Sequence, residues 1–272
     1  MGKLSYFAQL NKLFQEWMES LNNEEKKLFC KDGLMLKAYK MEKSIDTLWD
    51  ELPRKVMFVL KDKNTPDGDD TRLWLVDAKN GENTRSLCGG DVGKTGFIPN
   101  IARMLFGILY WEQLEYKNFE EFLQKYKKQI IDTFNTMPFA FVEAKKLAGY
   151  SSVKQQELQK AIDKDGDFLM REIEILNPNI IVCCDAEDTQ FDYIAKRLEL
   201  QEIDKDGIIT IDYKYPKTPY FNCHLRYYPT LKKAVIKSYH PTRIGKAGDW
   251  IIYEKVISPF RQLINNHNIK FK

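Results

Sequence analysis

Hydrophobic positions along the chain change period several times, and each change marks an element. Leu10, Leu13, Phe14, Trp17, Met18 and Leu21 recur at helical spacing with charges between them, which predicts an amphipathic helix. A second helix is predicted from Glu24 to Met41, so residues 1–50 are read as a helical N-terminal extension. After Pro53 the period gives way to an apolar run, Val56-Met57-Phe58-Val59-Leu60, with the length of a buried strand. The stretch from Lys61 to Gly68 that follows is turn chemistry. Residues 71–100 read as a long elaborated loop region. Helical periods return at Ile101–Trp111 and Phe119–Phe134, and Met137 to Val142 is a second strand. A long helix from Glu157 to Leu176 stops at Asn177-Pro178, and Asn179 to Cys184 is the clearest buried strand. A helix over Asp188–Glu199, strands at Ile208–Asp212 and Ala234–Tyr239, and a last helix carrying Trp250 to Ile264 complete the pattern.

Apolar strands alternating with amphipathic helices predict an α/β sandwich, a mostly parallel central sheet with helices on both faces. Residues 51–272 show no linker, repeat or low-complexity segment and are read as one domain. Ligands of such sheets bind at the carboxyl ends of strands, which directs attention to the loops after Leu60, Val142, Cys184 and Tyr239.

Composition narrows the classes. The balance of 42 basic and 39 acidic residues gives a net charge of +3, too small to announce a nucleic-acid binder, though it leaves room for a local basic face. No window approaches the ~18 uninterrupted apolar residues of a membrane span, so no membrane partner is expected. The five cysteines are scattered and form no C-x-x-C pair, which speaks against a zinc ribbon or iron–sulfur cluster and for a reduced, cytoplasmic protein.

Three motifs nearly fit and fail. Cys88 to Thr95 lacks the first glycine of a phosphate-binding loop, follows no strand and is interrupted by Gly96 and Pro99. Asp163 to Glu174 carries calcium-loop carboxylates, but Phe168 occupies the tight-turn position and Arg171 a ligand position. Asp67-Gly68-Asp69-Asp70 has no second ligand group to join it. No metal or cofactor is expected.

Two strand ends remain. One leads into Asp62, the other into His240-Pro241-Thr242. A strand-end aspartate also caps helices and a His-Pro also makes turns. Together, at the carboxyl ends of parallel strands, a carboxylate that orients water and a histidine that donates to a departing anion can face one cleft.

With those residues in view, the sequence resembles the uracil-DNA glycosylase superfamily, and more closely a branch of uncharacterised bacterial proteins within it, from about Lys55 to Asp249. Val56 to Asn64 matches the motif that positions the attacking water, with Asp62 at the acidic position and Asn64 as the alternative if the register slips. The glycine and proline usual in that loop are absent, and lysines stand there instead. His240-Pro241-Thr242 matches the last motif. Pro138 to Lys146 matches the strand whose end normally carries a base-reading asparagine, and here Glu143 stands in its place. The branch's Cys-Cys-Gly run becomes Cys183-Cys184-Asp185, and Gly96 to Arg103 resembles its helix start.

The resemblance implies a three-layer glycosylase-like sandwich and a cofactor-free DNA-repair hydrolase that flips a base out of DNA, in preference to RNA, and cleaves its N-glycosidic bond. Asp62 is expected to steady the sugar cation and orient water, and neutral His240 to stabilise the leaving base. Phe97, or another aromatic from residues 71–97, is expected to stack on the base. Lys145, Lys146, Thr242, Arg243 and Lys246 are expected to meet phosphates, with Ile244 as a wedge. An ionised Glu143 accepts hydrogen bonds only, which selects a base with an amino donor or a modified base over plain uracil, whereas a protonated one blurs that preference. The alternative is an inactive nucleotide- or nucleic-acid-binding module on the same fold.

Overall fold

The computed structural model describes residues 4–37, 42–75, 92–93, 96–149, 153–185, 187–214, 222–242 and 248–271. Ser5 caps the first helix, α1 (Tyr6–Glu19), by accepting from the Ala8 amide, and the stripe Leu10, Leu13, Phe14, Trp17 is buried. A capping box between Asn22 and Glu25 starts α2 (Asn23–Leu28). The predicted helix over Glu24–Met41 ends there. Gly33 takes φ 126°, a conformation side chains resist, and the chain runs extended through β1 (Gly33–Leu34). Next come α3 (Ile45–Glu51), β2 (Val56–Leu60), α4 (Phe97–Tyr110), α5 (Phe119–Thr136) and β3 (Ala140–Glu143). They are followed by α6 (Gln155–Leu176), β4 (Ile180–Cys184), α7 (Thr189–Gln201), β5 (Ile209–Lys214), β6 (Asn222–Tyr228), β7 (Lys233–Ser238) and α8 (Gly248–His267).

Among the described residues the strands form one seven-stranded sheet in the order β1-β3-β2-β4-β7-β6-β5. Its centre is parallel: Phe58 of β2 pairs with Phe141 of β3 and Val182 of β4, and Cys183 pairs with Lys237 of β7. The edges are antiparallel, β1 on β3 and β6 then β5 beyond β7. β6 has no counterpart in the prediction, although Cys223, Leu225 and Tyr227 are buried in alternation with the less buried His224 and Arg226, a strand period. Successive residues of β2 feed opposite cores. Val56, Phe58 and Leu60 pack with α4, α5 and α8, while Met57 and Val59 pack with α1, α6 and α7. The architecture is thus α/β with helices on both faces of a mixed sheet whose centre is parallel.

The N-terminal segment is built into this frame. Beyond the burial of α1, residues 27–31 stitch two loops together. Gly68 N–H donates to Lys27 O (2.9 Å), Lys31 N–H to Asp69 O (2.8 Å), Cys30 N–H to Lys146 O (2.8 Å) and Ala148 N–H to Leu28 O (2.7 Å). Those loops follow β2 and β3. Among the described residues, no helix is long and apolar enough to cross a membrane.

Candidate functional site

Because β3, β2 and β7 run in the same direction, the loops that leave them emerge on one side, and there they enclose a cavity of about 540 Å³. Asp62 and Asn64 reach it from the loop after β2, Glu143 from the last position of β3, and His240 and Thr242 from the loop after β7. Phe97, the first residue of α4, forms a wall with Trp74 and Phe141; ring centroids lie 5.6 Å apart for Phe97–Phe141 and 5.9 Å for Trp74–Phe97. The Phe97 ring also lies 6.0 Å from the His240 ring.

His240 is held in one tautomer. The Thr242 amide, which can only donate, points at Nδ1 from 3.3 Å, and Thr242 Oγ1 lies 2.7 Å from the same atom. Nδ1 is therefore the acceptor, and the neutral ring carries its proton on Nε2. Burial, reinforced by the charge of Lys61, pushes the His240 pKa down to about 4, so the ring is neutral at physiological pH. Its backbone is anchored from behind. Buried Asn100 of α4 donates to Pro241 O (2.7 Å) and to Asp249 Oδ1 (3.0 Å), and Arg103 donates to Asn100 Oδ1 (2.7 Å).

Asp62 accepts from Lys145 Nζ at 3.2 Å. Burial raises its pKa and Lys145 works against that rise. Space beside it is tight: a Cβ on Gly149 would lie 2.2 Å from Asp62 Oδ2, so a glycine there keeps the carboxylate in place.

Glu143 is only 3% exposed, and its Oε2 finds no hydrogen-bond partner among the described residues. Burial, then the neighbouring charge of Asp32, pushes its pKa up to about 8, so at pH 7 the carboxyl is mostly protonated. The acceptor-only Glu143 expected for an ionised group therefore applies only above that pH. Asp32 also holds the strand end, accepting from the Glu143 amide at 2.6 Å.

The phosphate-binding assignments fare differently. Lys146 is a correction: it is buried, donates to both oxygens of Asp32 (2.5 and 2.6 Å) and pairs with Glu172 at 2.7 Å, so it is not available to a phosphate. Lys145 turns inward to Asp62 and to Leu147 O (2.7 Å). Thr242 lines the cavity and braces His240. Arg243, Ile244 and Lys246 lie outside the described residues, as does most of the Cys88–Thr95 stretch.

Sequence reading did not single out Lys61, Phe141 or Asp32. Lys61 and Phe141 carried a positional signal, being the residue after β2 and a residue near the end of β3. Asp32 carried none, because it reaches the site only through the fold.

No protein-family model matches the sequence, and no curated protein matches it either.

Proposed function

We propose that the cavity receives one flipped nucleobase of a DNA strand and that the protein hydrolyses its N-glycosidic bond. The observation that carries this reading is the convergence, in one aromatic-walled cavity at the strand ends, of a carboxylate, a neutral histidine with its proton on Nε2, and a buried unpartnered carboxyl. A cavity of about 540 Å³ suits a single base with its sugar. The aromatic wall offers stacking worth roughly 1–3 kcal/mol per base.

As the C1′–N bond breaks, the sugar gains positive charge and the base leaves with the electron pair. Asp62 faces the cation and orients a water, whose oxygen bonds to C1′ while one of its protons passes to the Asp62 carboxylate and from there, through solvent, to the base anion. His240 Nε2–H donates to the departing anion, and its low pKa keeps it a hydrogen-bond donor to the anion without carrying charge itself. Glu143 reads the base edge. Protonated, it offers one donor and one acceptor, which match both an amide edge such as uracil's and an amino-bearing edge such as cytosine's. Ionised, it accepts only and selects the amino-bearing or modified base. One observation favours the second reading, nucleotide binding without cleavage: Lys145 competes for the Asp62 carboxylate.

The test is to incubate the protein with oligonucleotides carrying normal and modified bases and to assay abasic sites between pH 6 and 9. Excision of at least one base is expected. Binding of an amide-edged base is expected to weaken as pH rises above about 8, and that of an amino-bearing base to weaken less. Glu143→Gln, which keeps donor and acceptor at every pH, is expected to remove that dependence. No abasic sites from any base, with binding retained, would favour the binding module.

A further inference from the structure

We propose that Lys61 holds a phosphate of the nucleotide whose base enters the cavity. This rests on the reading of the cavity as a base site and adds the part of the ligand that reading leaves unassigned.

Of the ionisable groups lining the cavity, Lys63 pairs with Asp69, and Asp62 pairs with Lys145. Glu143 is mostly protonated at pH 7 and His240 is neutral. What remains is the ammonium of Lys61, which has no hydrogen bond or ion pair among the described residues. Asp185 feels its charge, but the Asp185 carboxylate is already engaged by the amides of Glu187 (2.6 Å) and Gln190 (3.1 Å). The Lys61 ammonium thus keeps its N–H donors free at the cavity, and an anion is the ligand that takes them up.

Position makes the anion part of the same ligand. Lys61 is the first residue after β2, and its backbone is fixed on both sides. Lys145 N–H donates to Lys61 O (2.9 Å), and the Gln190 side chain donates to Leu60 O (2.7 Å). Its stem therefore starts between Asp62 and the strand end, and its charge reaches His240 as well. The aromatic wall and Glu143 take a planar heteroaromatic group, so an anion beside Asp62 and His240 sits on the sugar side of that group. A phosphate ester is the anion a nucleotide carries there. Lysine serves as a point charge for phosphate and tolerates either a monoester or a diester.

The experiment titrates wild-type and Lys61→Gln protein, followed by nuclear magnetic resonance, with 2′-deoxycytidine, its 5′-monophosphate and a short single-stranded oligonucleotide centred on deoxycytidine. The wild type is expected to bind the monophosphate or the oligonucleotide at least about tenfold more tightly than the nucleoside. Lys61→Gln is expected to lose that increment with nucleoside affinity unchanged, and Lys61→Arg to keep it. An increment on the monophosphate points to a free nucleotide, and one on the oligonucleotide alone to a strand. Equal wild-type affinity for all three, or an increment that survives Lys61→Gln, overturns the proposal and leaves the base site standing. Absence of nucleoside binding at the cavity in both proteins overturns the base site and this proposal with it.

Discussion

Replacing Asp62 by Asn is expected to slow base excision by roughly 10²–10⁴-fold while nucleotide binding changes only a few-fold. Asparagine fills the same space and can still orient a water, but it cannot set a negative charge against the cation forming on the sugar. That interaction exists mainly in the transition state, so its loss falls on the chemical step. His240→Ala is expected to cost about 10²–10³-fold in the same step, the scale of one lost donor to a developing anion. Because His240 titrates near pH 4, the wild-type rate is expected to show no change from this group between pH 6 and 8. Single-turnover rates and equilibrium binding, measured on the same preparations, separate the two quantities. Equal loss of rate and binding would place these residues in docking or folding, and no loss would remove them from the chemistry.

The second large effect lies behind the cavity. Lys146→Met is expected to destabilise the fold by about 3–5 kcal/mol near pH 7, the usual cost of stranding buried charges. Lys146 is the cation that Asp32 and Glu172 share, and all three side chains are buried. Burial disfavours the ammonium, yet Asp32 and Glu172 outweigh it and raise the Lys146 pKa. Burial, then Asp32, raises the Glu172 pKa well above the usual carboxylate range. The sign of the pH dependence follows. In the variant the folded Glu172 carboxylate takes up a proton more readily than in the unfolded chain, so the unfolded chain binds fewer protons over that range and stability falls as pH rises. The deficit is therefore expected to shrink at pH 5 and grow towards pH 8. Denaturant unfolding at several pH values reads this directly, and a deficit below about 1 kcal/mol at pH 7 would contradict the network.

Much of the frame was legible because its signals are local. β2 and β4 are continuous apolar runs with turn residues at their ends, and helices such as α6 announce themselves by an apolar stripe and a stop at Asn177-Pro178. Asp62 and His240 were legible by position, as polar residues directly beyond two apolar strands. What escaped depends on partners far away in sequence. Beside Lys145, Lys146 looks like half of a basic surface pair. Its burial follows from Asp32, and neither residue reveals the other before the chain folds. For Glu143 the sequence left both protonation states open, and the choice between them depends on the enclosed strand end and then the nearby Asp32 charge, which together push its pKa up. The region after α2 misled for a different reason. Its apolar residues fit a helical wheel, but Gly33 and the pull of the β3 edge draw the chain into extended form.

The central claim is that one base enters this cavity to be cut from its sugar. A crystal structure of the Asp62→Asn protein with the oligonucleotide that the intact protein processes fastest tests it most directly. The target base is expected to lie turned out of the strand against Phe97, Trp74 and Phe141, its edge within hydrogen-bonding distance of Glu143, and the sugar C1′ beside position 62. A strand bound elsewhere, with that base still stacked on its neighbours and the cavity untouched, would contradict it.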